Sequence, residues 1–105
     1  MVRFGSGVGS EIRKTRPAVV VSNDAACRFD AVVQVVPVTR MPERDLRPYE
    51  AAVGSAESGL ERPSRLVASQ IRTISKGRIG GVIGVLAGPE HADLDRALRI
   101  QLALP

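Results

Sequence analysis

Hydrophobic and polar positions fall in short alternating blocks along most of this chain and change to a helical spacing only near its end. The first sustained block is Ala18-Val19-Val20-Val21, introduced by Arg16-Pro17 and closed by Ser22-Asn23-Asp24. A mostly β-branched run bounded by a turn cluster predicts a buried strand, and Pro17, with no N–H for a ladder, suits a first strand position. A second run over residues 31–38 follows a predicted loop over 23–30. The simplest connection is an antiparallel hairpin, in which the end of the second strand returns beside the start of the first. Residues 40–48 are rich in charge and proline and predict a loop; residues 49–53 alternate weakly and predict a short edge strand, followed by a Gly/Ser turn over 54–59. In residues 65–71, Leu66, Ala68 and Gln70 share one face and Val67, Ser69 and Ile71 the other, which predicts a strand. Residues 72–78 predict a tight turn or a single helical turn. Residues 79–86 read as another strand, whose Gly80, Gly81 and Gly84 mark bulges or close backbone approach.

The period then changes. Pro89 suits the first helical position, Glu90 and Asp93 set negative charge near the positive end of a helix dipole, and Leu94, Ala97, Leu98 and Leu102 recur on one face. A run of short strands closed by one terminal helix predicts a mainly β domain with a C-terminal α-helix, built as a small, strongly bent sheet or half-open barrel. The three glycines and two serines of residues 1–15 predict a flexible lead-in loop, whose glycine spacing matches no phosphate-loop pattern.

Length and composition narrow this picture. One domain fills all 105 residues, and with 44% hydrophobic but only 3% aromatic residues and no Trp, its core is a lean one of Val, Ile, Leu and Ala. The net charge of +4 favours an anionic partner. Lys occurs only at positions 14 and 76, so the basicity is arginine; that bias fits phosphate or carboxylate recognition, and a GC-rich genome produces the same bias without any function. Cys27 is the only cysteine and His91 the only histidine. An intrachain disulfide and a two-histidine acid/base mechanism are therefore impossible, a reducing, cytoplasmic setting is the default, and no Cys/His/carboxylate spacing predicts a metal site. No apolar run approaches a membrane span, so a soluble chain without membrane contact is expected.

The hairpin brings Thr39 near Arg16 at the strand mouth. A guanidinium binds phosphate oxygens bidentately and a hydroxyl adds one more hydrogen bond, which makes an anion site; an exposed Arg beside a strand-end Thr gives the same pattern. Glu11 lies a few residues before Arg16, where a carboxylate acts as a base or merely orients the guanidinium.

Four blocks in this order, Gly9-Ser10-Glu11, Arg16 to Asp24, Val35-Val36-Pro37-Val38-Thr39 and Gln70-Ile71-Arg72-Thr73-Ile74, resemble the MazF/PemK family of toxin endoribonucleases. The resemblance implies an SH3-like half-open barrel that forms a homodimer and cuts single-stranded RNA (messenger RNA, with transfer and ribosomal RNA left open) without metal or cofactor. It also implies a cognate antitoxin whose acidic, disordered tail lies across the RNA groove. Carried over residue by residue, it makes Arg16, Thr39 and Glu11 the catalytic residues and Ser10, Asn23, Gln70 and Arg72 the RNA contacts. Two departures stand out. Met1-Val2-Arg3-Phe4 and glycines replace the family's usual first strand, which is expected to be missing, and Pro63 and Arg65 replace a common aspartate and small apolar residue. The alternatives are a non-catalytic, gyrase-inhibiting toxin of the related CcdB type, which has no use for an Arg/Thr pair at the strand ends, and a decayed, inactive family member.

Overall fold

The structure, a computed structural model, describes residues 7–11, by their backbone, and residues 16–105. Seven strands form a single sheet: β1 (Gly7–Glu11), β2 (Arg16–Val20), β3 (Val32–Arg40), β4 (Glu50–Val53), β5 (Ser64–Val67), β6 (Arg72–Ser75) and β7 (Ile79–Val85). Two α-helices, α1 (Asp24–Phe29) and α2 (Gly88–Leu102), complete the described elements. The order is β4-β5-β3-β2-β1-β7, with β6 also on β3, and every pairing is antiparallel. The two ends of this order do not pair, so the barrel stays open, as the sequence predicts.

The hairpin of β2 and β3 has the expected sense: Ala18 pairs with Pro37, Val19 with Val36 and Val20 with Val35. Because side chains alternate across a strand, this one hairpin feeds two cores. Val19, Val36 and Val38 join Ala51, Leu66 and the α2 residues Leu94 and Ala97 on one face. Ala18, Val20, Val33 and Val35 join Cys27 and Ile74 on the other. β3 pairs β6 along its first half and β5 along its last residues, so it is the long strand about which the sheet bends.

Four local expectations are corrected. In the lead-in, Gly7–Glu11 is a strand held between β2 and β7, because its backbone finds ladder partners on both sides. The remaining lead-in residues, including Met1 to Phe4 where a first strand was expected to be missing, lie outside the described residues. The predicted loop over 23–30 contains α1, whose small residues let Cys27 bury against the second core. The strand predicted over 65–71 ends at Val67: the Ala68 N–H bonds Tyr49 O and the Ile71 N–H bonds Ala68 O, turning the chain through a short 3-10 turn (Ala68–Gln70). Residues 72–75, expected in a turn, form β6, where Ile74 supplies the one side chain the second core needs from that edge.

In β7, Gly84 sits at a close backbone approach, whereas Gly81 faces open space. A Cβ there would meet Glu57 O at 2.3 Å and Ser58 O at 2.6 Å, and a Cβ on Gly59, which has φ +71°, would meet Ile83 O at 2.3 Å. The 3-10 turn Ala56–Ser58 is thus pressed backbone to backbone on β7.

At the start of α2 the Glu90 carboxylate does more than complement the dipole. It accepts hydrogen bonds from the Ala87 N–H (2.9 Å), the Gly54 and Ser55 N–H groups (2.7 and 2.9 Å) and the Ser55 hydroxyl (2.6 Å). Burial pushes its pKa up, but the bonds from Ser55, Ala87 and Gly54 outweigh that and hold it below the ordinary carboxylate range. The helix closes at Ala103, in the left-handed region. Its expected apolar face is buried at Leu94 and Ala97 and half-buried at Leu98, but Leu102 is 47% exposed because the last turn runs past the sheet.

Candidate functional site

Strand register assembles the site. Glu11 on β1 pairs with Arg16 on β2. The β2–β3 pairs end at Ala18 and Pro37; counted two residues past that last pair, Arg16 and Thr39 fall at the same level, and Thr39 pairs in turn with Arg65 on β5. By strand level, the backbone positions of Glu11, Arg16, Thr39 and Arg65 fall in one lateral row across β1, β2, β3 and β5. Arg16 and Thr39 are both exposed, since the strands here have passed beyond the buried Ala18 and Val38. Directly opposed residues share a face of the sheet, so the guanidinium and the hydroxyl are available to one ligand. Ser10 is next along β1, paired with Pro17.

The other sequence-predicted contacts spread along the sheet. Gln70 is exposed at the end of the 3-10 turn after β5. Arg72, also exposed, pairs with Val35 on β3, whose other neighbour is Val20. Arg72 is thus four strand positions from the level of Arg16, roughly 13 Å. Asn23 is not brought to the row. It stands beyond the opposite end of β2, seven residues or roughly 23 Å from Arg16, where its carbonyl accepts from the Cys27 N–H in α1.

The same register shows residues that sequence reasoning missed. Glu50, at the start of β4, is 1% exposed. Its carboxylate is gripped by Arg44 through Nη1 (2.8 Å) and Nη2 (3.1 Å), by the Arg47 N–H (2.7 Å) and by Arg65 Nη1. The Arg44 hydrogen bonds lead, against desolvation and with help from the Arg47 N–H and the Arg65 charge, in lowering the Glu50 pKa to about 2. Arg96 of α2 donates to the carbonyls of Pro48 and Glu50 (2.8 and 3.1 Å), fixing the approach to β4. One signal was present: Glu50 is a lone acid opening an apolar strand after Arg40, Arg44 and Arg47. A buried carboxylate needs a charged partner, and of those arginines Arg44 supplies its guanidinium and Arg47 its backbone N–H.

Chemically, the row offers cations and a hydroxyl along an uncovered sheet end beside a shallow depression of about 520 Å³, lined by Pro17, Gly59, Leu60, Glu61, Arg62 and Ile83 among others. Among the described residues no group of three or more His, Cys, Asp or Glu side chains could hold a metal ion. The described helices include none long and apolar enough to cross a membrane.

A half-open antiparallel sheet closed by a terminal helix is a small mainly β domain with exposed strand ends. Residues 1–102 match the family of PemK-like, MazF-like toxins of type II toxin–antitoxin systems, and the chain belongs to that family. It is 39% identical over 101 residues to Endoribonuclease MazF9 of Mycobacterium tuberculosis, covering 91% of this chain and 85% of that protein. With Endoribonuclease EndoA of Bacillus subtilis it shares 35% identity over 97 residues, 92% and 84% of the two chains. Among solved structures, an endoribonuclease in complex with its cognate antitoxin, from a mycobacterial species, superposes with a TM-score of 0.80 at 25% identity, covering 100% of this chain and 97% of that one.

Proposed function

We propose that this chain is the RNA-cleaving toxin of a toxin–antitoxin pair, acting on single-stranded RNA without a metal. The observation that supports the reading is the register that pairs Glu11 with Arg16 and, counted two residues past its last β2–β3 pair, brings Arg16 level with Thr39, with relatives named as endoribonucleases in support. The ribose 2′-OH attacks the neighbouring phosphorus. The P–O2′ bond forms and the P–O5′ bond breaks, with Glu11 taking the 2′-OH proton, a water molecule protonating the departing O5′, and the resulting hydroxide taking up the proton that Glu11 releases. The products are a 2′,3′-cyclic phosphate and a 5′-OH end. Charge accumulates on the phosphoryl oxygens of the crowded intermediate, where the Arg16 fork and the Thr39 hydroxyl donate; preorganised donors of this kind are typically the largest electrostatic contribution. Ser10, Gln70 and Arg72 contact the RNA on either side, and Asn23 serves a distal nucleotide.

A basic, uncovered groove also suits the acidic, disordered tail of an antitoxin, whose carboxylates imitate the RNA backbone. The solved relative bound to its antitoxin supports that partner. The exposed Ile100, Leu102 and Leu104 at the end of α2, on a domain with so lean a core, support a homodimer working in the cytoplasm. The relatives favour cleavage over the gyrase-binding alternative.

The deciding experiment is incubation of a long single-stranded RNA with the protein in excess EDTA, followed by analysis of the product ends. Discrete fragments with 5′-OH and cyclic-phosphate ends are expected. Intact RNA, or cleavage only after a divalent ion is restored, overturns the reading.

A further inference from the structure

Arg65, on β5, has surroundings that are not those of a simple counterion. The Glu50 carboxylate already has three hydrogen bonds without it, two from Arg44 and one from the Arg47 N–H. One negative charge is thus shared between two guanidinium groups, leaving a net positive charge at this point of the sheet. Glu50 takes only Nη1 of Arg65, and Nε is buried with no hydrogen-bond partner. A guanidinium has five N–H donors, so Glu50 does not saturate it, and the side chain keeps 20% of its surface exposed.

Position gives that surplus a direction. Arg65 is cross-strand from Thr39 on one side and from the exposed Ala52 on the other. It shares a sheet face with Arg16 and Thr39, two strand spacings from Arg16, or roughly 9.5 Å. That is the spacing of the backbones, and across it two arginine side chains can each take one of two neighbouring phosphates. Ala52 leaves the far side of Arg65 uncovered.

We infer that Arg65, braced from below by Glu50, is a phosphate-contacting residue of a second subsite, which takes the RNA phosphate adjoining the one held by Arg16 and Thr39. The inference rests on the ribonuclease reading for the identity of its ligand. Bracing matters because an arginine held in place loses little side-chain entropy when it binds. The fork is aimed before the RNA arrives.

The test measures binding of a 2′-O-methyl single-stranded oligonucleotide, which cannot be cleaved through its 2′ position, from about 50 to about 200 mM salt, with a cleavage assay in parallel. Each phosphate neutralised contributes roughly 0.7 to the slope of log K against log salt for single strands. Arg65→Ala is expected to bind about tenfold more weakly and to flatten that slope by about 0.7, with kcat changed by less than about threefold. Arg65→Lys should keep the slope. A purely structural role would lower the melting temperature without changing the slope. If Arg65→Ala fails to fold, Arg65→Gln, which keeps a donor for Glu50 but no charge, makes the same comparison. A wild-type slope in the neutral variant overturns the inference. A flattened slope in a protein that binds RNA but never cuts it upholds the subsite and overturns the ribonuclease reading; a wild type that binds no oligonucleotide overturns both.

Discussion

On the β4 side of the sheet a carboxylate is buried and fully engaged; a few strands away a guanidinium and a hydroxyl stand open. Glu50 is 1% exposed and takes contacts from Arg44, Arg47 and Arg65, whereas Arg16 and Thr39 are exposed and hydrogen-bond to no other described side chain. Both regions use arginine, and both sit on the same continuous ladder. The difference is burial. An ion under the sheet must be matched by charge and hydrogen bonds or it costs several kcal/mol, while one at a strand end remains hydrated and available. Removing Glu50, the buried centre of the first region, should therefore destabilise the protein, and removing Arg16 from the second should silence it.

The largest expected effect is at Glu50. Glu50→Ala leaves Arg65 partly buried without its counterion and should cost about 3–5 kcal/mol in denaturant unfolding. A midpoint within error of wild type would break the contrast. The pH dependence follows the same group. Its pKa is lowered from 4.5 to about 2, so the folded state binds fewer protons than the unfolded one. The stabilisation is complete above about pH 4.5 and is lost as pH falls toward 2. The lowered pKa of Glu90 adds in the same direction. Acid titration of stability should show this loss, with a shallower loss in Glu50→Gln.

Next comes Arg16. Arg16→Ala should cost on the order of 10²-fold or more in kcat, as loss of a transition-state donor typically does, with stability changed by under about 0.5 kcal/mol. Arg16→Lys sharpens the point: it keeps the charge but not the planar fork, so it should bind RNA and cut poorly. Near-wild-type turnover in Arg16→Ala, measured on single-stranded RNA, would end the site assignment.

A smaller effect is expected at Gly84. An added methyl meets the backbone of Glu57 and Ser58, and that backbone cannot rotate away, so Gly84→Ala should lose about 1–3 kcal/mol by overpacking. Thermal unfolding measures it directly. The smallest is Arg99→Ala, on an exposed position of α2, which should change neither cleavage nor stability beyond about 0.5 kcal/mol.

What could be read from the residues alone tracks how local the cause is. The β2–β3 hairpin and α2 follow from uninterrupted patterns and end signals within a few residues, and both are present. The antiparallel sense of that hairpin was legible too, and its pairs run from Val20–Val35 to Ala18–Pro37. β1 and β6 were misread because each has almost no apolar pattern of its own: Gly7–Glu11 holds a single apolar residue, and Arg72–Ser75 contributes only Ile74. Their strand state comes from ladder partners far along the chain, which no local period reveals. Glu50 escaped notice in part for the same reason. Arg44 and Arg47 are local to it, but Arg65 reaches it only after β4 and β5 pair.

The position of β1 bears on how the toxin comes into being. Its partner on one side, β2, follows within a few residues, but on the other side is β7, which begins only at Ile79. Contacts of such sequence separation close late, because the chain between them must first be ordered. During synthesis β2 and β3 leave the ribosome long before β7 does. The strand that carries Ser10 and Glu11 then has one ladder instead of two. A nascent chain that stops before Ile79 is thus expected to hold β1 by β2 alone, and amide protection along β1 should rise only once β7 has been added.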